Sequence, residues 1–254
     1  VTSASVSDNI TNLSTGIDKS TLSPSEKLSL DYLKKWNGFY GKKEVAPTIY
    51  SRFIYEVLVA TYKDEMGKSF NQFINTPYQD KAFAEQIVRE ESVWWDDVKT
   101  SDKKETRTDI ITNSYKKAIA FLGNQLGENV QNWTWDRVIS VEYPHALGQV
   151  PSLRKYFNVG PFKTRGGNEV INNQIFNLDS TGVYKITAGP STRRIVDFSD
   201  VENSLGILPT GQSGNVFSPH YDDQAQKYID GEFVKMSLNE AYIKKSKNKL
   251  VFKV

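Results

Sequence analysis

Cysteine is absent from this 254-residue chain, and histidine occurs only twice. Without cysteine there are no disulfides, no thiolate catalysis and no cysteine-ligated zinc. That absence does not fix a compartment, because exported chains also do without cysteine. The two imidazoles, His145 and His220, stand far apart and outside any HExxH-like spacing, so core or hydrogen-bonding roles suit them better than a metal. An excess of one charge is missing too: 32 basic against 30 acidic residues leave a formal net charge of +2. A dedicated nucleic-acid binder needs a basic field to displace counterions, so no nucleic-acid partner is expected. No apolar run approaches the roughly 20 residues that span a bilayer, so no membrane span is expected. EF-hand and phosphate-loop spacings are lacking as well. The acidic pairs Glu90-Glu91, Asp96-Asp97 and Asp222-Asp223 are sequence neighbours, which face different directions on a helix or strand and make no shared acid–base dyad. Residue by residue, the chain offers no catalytic set, no metal ligands and no cofactor motif.

What is present is an ordinary globular composition, 38% hydrophobic and 24% charged, with 12% aromatic residues. The length suits one large domain or two small ones. Ser23-Pro24-Ser25-Glu26 reads as a helix start with a capping box, and the run ends at Asn37-Gly38. Pro47 opens a second helix with a core stripe of Tyr50, Phe53, Ile54, Val57, Leu58 and Thr61. Pro77 breaks the chain, residues 79–93 read as helical, and a long helix is expected over 104–126. From Trp133 the character changes. Strands are expected at 137–143, 168–178, 183–188, 192–198, 233–238 and 249–254, with short helices from Ser218-Pro219 and over 239–245. Helices first and strands second give an α+β fold, with a mainly helical segment over 1–130 and a strand-rich segment over 131–254. The run KKSKNK at 244–249 reads as a solvated face, and three N-x-S/T matches (Asn9, Asn12, Asn132) are common by chance. The N-terminal stretch has neither a basic n-region nor an apolar h-region and does not read as a signal peptide, although one could have been removed upstream.

The stretch LPTGQSGNVFSPHYDDQ at 208–224 resembles an active-site loop. A serine nucleophile elbow needs G-x-S-x-G, because glycines on both sides let the strained turn fit. Here Gly214 follows Ser213 directly and Asn215 takes the place of the second glycine. Ser213 therefore reads as a turn residue in a Gly-rich corner. Ser218 is expected to cap a helix with Pro219 at its first position and Asp222 and Asp223 in its first turn. His220 and Gln212 are expected to hydrogen-bond the corner together.

Several motifs, in order, resemble the C-terminal part of the β subunit in the penicillin amidase family of N-terminal nucleophile hydrolases. They are LKKWNGFYG (33–41), WWDD (94–97), NWTWDRVISVEYPHALG (132–148), GGNEVINN (166–173), GPSTRRIVDFSD (189–200), and GQSGNVFSPHYDDQ (211–224) followed by YIDGEFVKM. The signature positions are His145, Gly167, Arg194, Asp197, Gln212, Ser213, Gly214, His220, Tyr221 and Asp223, all assigned structural roles. The resemblance implies the C-terminal portion of an αββα sandwich, with residues 131–254 completing the sheets. It also implies an acylase activity on linear amides such as penicillins or N-acyl-homoserine lactones, and a periplasmic or extracellular location. The implied partners are the remainder of the β subunit and an α subunit of the same precursor, with a small amide as substrate. The family's nucleophile is the first residue of the β subunit, normally serine, with its own α-amino group as base. Val1 has no nucleophilic side chain, and the nucleophile, oxyanion donors and calcium ligands align before residue 1. No catalytic residue carries over, and a piece of this kind is expected to expose apolar surface on its own. Two other readings stand beside it: a free-standing binding or structural module that keeps the fold, and an independent serine hydrolase using Ser213 and His220.

Overall fold

The computed structural model describes residues 4–168, 170–237 and 239–245. The first half is helical: α1 (Ala4–Gly16), α2 (Pro24–Lys35), α3 (Ala46–Met66), α4 (Phe70–Phe73), α5 (Tyr78–Ile87) and α6 (Arg107–Leu126). Then come β1 (Ile139–Tyr143), α7 (Arg154–Phe157), β2 (Val159–Lys163), β3 (Ile175–Phe176), β4 (Tyr184–Ala188), β5 (Arg193–Ile195) and β6 (Leu205–Ile207). The last elements are α8 (Ala225–Asp230), β7 (Val234–Lys235) and α9 (Glu240–Lys244). The chain is α+β, helical first and strand-rich second. It forms two compact units: residues 1–141 with 163–189, and residues 142–162 with 190–254. Among the described residues, no helix is long and apolar enough to cross a membrane.

In the first unit, α3 and α6 form the spine. Ile49, Phe53 and Leu58 of α3 and Ile111, Tyr115 and Ala118 of α6 have no exposed surface. Phe53 and Tyr115 meet edge to face at 5.1 Å, and the Tyr115 hydroxyl donates to the Glu26 carbonyl at 2.6 Å, tying α6 to the first turn of α2. That turn is fixed locally, because Ser23 and Glu26 cap each other's backbone amides. Two buried arginines hold the remaining pieces. The Arg107 guanidinium donates to Ile87 O (2.8 Å) and Asn12 O (2.7 Å), binding α6 to the ends of α5 and α1. Arg52 pairs with Glu56 one turn on, lies 3.3 Å over the Phe121 ring and donates to Ser180 O at 2.9 Å.

The strands of this unit sit beside the helices. β1 pairs parallel with β4 (Ile139 opposite Tyr184), and β3 pairs antiparallel with β4 across a bulge at Ile175 and Phe176. Trp135 anchors them. Its amide donates to Glu44 O at 2.8 Å, its indole donates to Gly166 O at 2.9 Å, and its ring meets Tyr40, Phe176 and Tyr184 within 5.6 Å. The second unit is smaller. β5, β6 and β7 form an antiparallel sheet in that order, and the buried Tyr228 and Ile229 of α8 fill its core.

Several elements are shorter than the local pattern predicts, and side chains bonding to backbone explain most of the difference. The helix expected over 79–93 ends at Ile87, because Arg107 takes the Ile87 carbonyl and the Trp95 indole takes the Arg89 carbonyl at 2.9 Å. The helix expected from Lys104 starts at Arg107, where Thr106 and Asp109 form a capping box. The strand expected at 137–143 begins at Ile139, after a 3-10 turn over Trp135–Arg137. Among the described residues of the strand expected at 168–178, Ile175–Phe176 forms, and the Asn168 carboxamide bonds both backbone groups of Phe176 at 3.2 Å, standing in for a neighbouring strand. The strand expected at 192–198 stops at Ile195, and beyond it the Asp197 carboxylate accepts from the Ser199 amide and hydroxyl at 2.9 and 2.6 Å. β4 and α9 form where expected. The strand expected at 233–238 is Val234–Lys235, and Leu238, Glu169 and the strand expected at 249–254 lie outside the described residues. Lys244 and Lys245, the described part of the basic run, are exposed.

Two predictions follow from this scaffold. Arg52→Met strands the Glu56 carboxylate in the core and should cost about 3–5 kcal/mol in urea unfolding. Arg52→Met with Glu56→Leu should cost markedly less, and a double mutant no more stable than the single one would contradict this. The second concerns Asp109. Bonds from the Thr106 hydroxyl, Lys103 and the Thr106 amide hold its carboxyl down from 3.8 to about 2. A lowered folded value means its stabilisation is complete above about 3.8 and lost as pH falls toward about 2. The gap in thermal midpoint between the wild type and Asp109→Asn should therefore close across that window.

Candidate functional site

The densest group of signature residues is the corner after β6, in the second unit. Here the backbone folds back on itself: Gly211 N–H donates to Tyr221 O at 2.8 Å and Ser213 N–H to His220 O at 3.0 Å. Those carbonyls are thereby spent. A helix starting at Pro219 would need them for amides four residues on. The expected helix consequently starts at Ala225, with Gln224 as its N-cap, and Asp222 and Asp223 precede it rather than sitting in its first turn. Short side-chain bonds shape the intervening loop. Ser213 Oγ accepts from Asn215 N–H (3.1 Å), Asn215 Oδ1 from Phe217 N–H (3.0 Å) and Ser218 Oγ from His220 N–H (3.2 Å).

This geometry gives the two side chains a serine hydrolase would need together other partners. Among the described residues, Ser213 Oγ is bonded to the Asn215 amide, while His220 Nδ1 faces Asp223 Oδ2 at 2.9 Å. The His220 partner is therefore Asp223 and not Gln212, whose side chain is exposed. The His220–Asp223 pair lies open to solvent, with the side chains 58% and 41% exposed, so it contributes little to stability. Tyr221 reaches further. Its hydroxyl donates to the Phe157 carbonyl, and partial burial pushes that hydroxyl's pKa up. The Phe157 ring packs on His145 at 5.0 Å. His145 in turn caps its own loop: Nδ1 accepts from Leu147 N–H at 3.1 Å, and its amide donates to Asn158 Oδ1 at 3.0 Å. Both histidines hold turns.

The remaining signature positions lie elsewhere. Arg194 is on β5, opposite Gly206, with its side chain exposed. Asp197 closes the turn after β5, and bonds from the Ser199 hydroxyl and amide keep its carboxyl below the usual range. Gly167 belongs to the first unit, where a Cβ would stand 2.7 Å from the Tyr40 ring. Arg193, which the motif reading passed over, is the more committed arginine. It lies 3.7 Å over the Tyr228 ring and donates to Tyr228 O at 2.7 Å. Strand alternation was the available signal, since it puts 193 and 194 on opposite faces. Tyr143 meets the edge of that same ring at 6.3 Å. Among the described residues its buried hydroxyl has no hydrogen-bond partner, and desolvation pushes its pKa up. Among the described residues, no three His, Asp or Glu side chains are placed to hold a metal ion.

The two corner glycines should respond oppositely to alanine. At Gly211 a Cβ would stand 1.9 Å from the His220 carbonyl oxygen, whereas at Gly214 it would meet nothing within 4 Å. Gly211→Ala should cost about 2 kcal/mol or more, and Gly214→Ala about 0.5 kcal/mol or less, by chemical denaturation. Equal effects would mean the backbone clasp is not what holds the corner.

Comparison with known proteins places these motifs. Acyl-homoserine lactone acylase QuiP from Pseudomonas fluorescens strain Pf0-1 is 30% identical over 208 residues, covering 80% of this chain and 24% of its own length. The Pseudomonas aeruginosa protein of the same name is 25% identical over 224 residues, covering 80% of this chain and 26% of its own length. This chain thus spans about a quarter of the length of these curated relatives. A thermostable penicillin G acylase from Alcaligenes faecalis aligns in structure with a TM-score of 0.48 at 16% identity, over 92% of this chain and 44% of that one. The penicillin amidase family profile matches residues 2–245, and the chain belongs to that family.

Proposed function

We propose that this chain is one segment of a longer amidohydrolase that cleaves the linear amide between an acyl group and an amine. N-acyl-homoserine lactones are the favoured substrates, because the curated relatives carry that activity in their names; penicillins are the alternative. In this reading the reacting serine is the first residue of another segment and uses its own α-amino group as base. The present chain supplies scaffold and part of the pocket wall. Its partners are the remaining polypeptide of the same precursor, and the assembly works outside the cytoplasm.

One observation carries the reading. Phe217 lies within the GQSGNVFSPHYDDQ stretch and Phe198 within TRRIVDFSD, and each is 92% exposed. Around each ring, short side-chain bonds shape the backbone: Asp197 takes the Ser199 amide, and Asn215 takes the Phe217 amide. In this reading the two bare phenyl rings are surface that the companion polypeptide covers. Ser213 Oγ, the hydroxyl nearest in sequence to a nucleophile motif, is occupied by the Asn215 amide.

The test is an intact-mass and N-terminal analysis of the purified active protein, alongside an acylase assay. A companion polypeptide beginning with serine is expected, with full activity in Ser213→Ala. Phe198→Ser with Phe217→Ser should weaken association with that companion by at least about tenfold, because two phenyl rings leave the interface. A monodisperse, cooperatively folded chain that hydrolyses amides by itself would overturn the proposal.

A further inference from the structure

A single asparagine in the chain is followed by glycine, at Asn37-Gly38 in the signature stretch LKKWNGFYG. The step lies just beyond α2, outside any helix or strand, and Asn37 is exposed. Its carboxamide is arranged for reaction with the next peptide nitrogen. Asn37 Oδ1 accepts from Phe39 N–H at 3.0 Å. That donor polarises the carbonyl and stabilises the negative charge that forms on its oxygen when a nucleophile adds to the carbon. Among the described residues Gly38 N–H donates to no acceptor, so no hydrogen bond has to break before that nitrogen attacks. Gly38 is buried, which slows loss of its proton, but it has no side chain to block the approach and holds a φ of 78°. The two asparagine-serine steps lack these features. At Asn203-Ser204 the Ser204 amide is bonded to Val201 O at 3.2 Å, and the Asn203 carboxamide donates to the Asp200 carboxylate. Asn113-Ser114 lies inside α6.

We propose that Asn37 is a site of self-catalysed deamidation. Gly38 N gives its proton to water and bonds to Asn37 Cγ. The bond from Cγ to Nδ2 then breaks, and that nitrogen takes up a proton and leaves as ammonia. The five-membered succinimide so formed adds one water and opens to aspartate, or at its other carbonyl to isoaspartate. Nothing is oxidised or reduced: asparagine and water become acid and ammonia. The surroundings give the product a consequence. The Trp36 indole donates to Phe39 O at 2.9 Å, and its ring meets Tyr40 at 5.0 Å and Tyr50 at 5.3 Å. Isoaspartate adds a methylene to the main chain between Trp36 and Phe39, which moves that carbonyl off the indole and loosens the end of α2 on α3. The inference depends on no part of the acylase reading.

The experiment ages the intact protein that carries this chain at neutral pH and physiological temperature, with peptide mapping by mass spectrometry. In native protein Asn37 should convert at least about tenfold faster than Asn203, whose backbone is held by hydrogen bonds. Asn37→Gln should show no conversion at that position, because the longer side chain closes a six-membered ring far more slowly. The converted fraction, separated by its added negative charge, should melt at least about 2 °C below the parent. The inference fails if another asparagine converts first in native protein, or if Asn37 stays intact there while the urea-unfolded chain converts at that position. It also fails if converted and parent protein melt together. Each of these outcomes is read on the wild type and stands whether or not Asn37→Gln folds.

Discussion

The buried pair of Arg52 and Glu56 is the constraint on which the first unit depends. Both side chains are nearly out of water, 6% and 11% exposed. Desolvating two charges costs several kcal/mol per ion, and Coulomb attraction offsets this only when other partners are well placed. Arg52 has them: the Phe121 face on α6 and the Ser180 carbonyl in the turn before β4. The pair therefore does more than close a helical turn. It fixes where α6 crosses α3 and where the chain enters β4, and β4 is the strand on which β1 and β3 both pair. Tyr184 opens that strand, fully buried, and its hydroxyl pKa is pushed up by burial. A hydrophobic spine alone would tolerate sliding of α6 along α3. The Phe121 ring under the guanidinium and the Ser114 hydroxyl, which donates to the Glu56 carbonyl at 3.3 Å, set the register.

Trp135 plays a matching part in the same unit, by a different mechanism. Its two N–H groups reach backbone carbonyls 91 residues back, at Glu44, and 31 residues ahead, at Gly166. Its ring fills the space between Tyr40, Phe176 and Tyr184. Gly166 N–H donates to Tyr40 O at 2.9 Å, and the Tyr40 ring occupies the space a side chain at 167 would need. This interlock explains two signature stretches together. In GGNEVINN, Gly167 leaves room for the Tyr40 ring of LKKWNGFYG, and Gly166 adopts a φ of 94° that suits glycine, with Asn172 where its side chain would stand.

The class of fold and the long helices were legible because their causes are local. Capping boxes at Ser23 and Thr106 form between residues three apart, and the core stripe of α3 repeats at helical spacing. The lengths of the strands were not legible. A run such as TRRIVDF is β-prone throughout, but only Arg193–Ile195 finds a partner in β6. Pairing is a property of two segments, and propensity is a property of one. The buried arginines were hidden for a related reason. In an amphipathic pattern Arg52 and Arg107 read as solvent-facing, and their partners at Ser180, Asn12 and Ile87 lie 128, 95 and 20 residues away.

The corner at 208–224 shows how far residue types alone can mislead. Serine, histidine, aspartate and glycine within a dozen positions look like chemistry. Yet most of these types also bend a backbone: glycine where carbonyls come close, and serine and aspartate, like the asparagine beside them, where a side chain caps an amide two residues on. The Ser213–Asn215, Asn215–Phe217 and Ser218–His220 bonds are three such caps in succession. A hydroxyl that accepts from a neighbouring amide still has its proton, but its geometry is set by the turn and not by a base. Reactive chemistry needs a side chain whose partners leave it poised. Turn chemistry needs one whose partners leave it occupied. For Ser213, Asn215 and Ser218 the partners are backbone amides of the loop itself, so these side chains shape its surface.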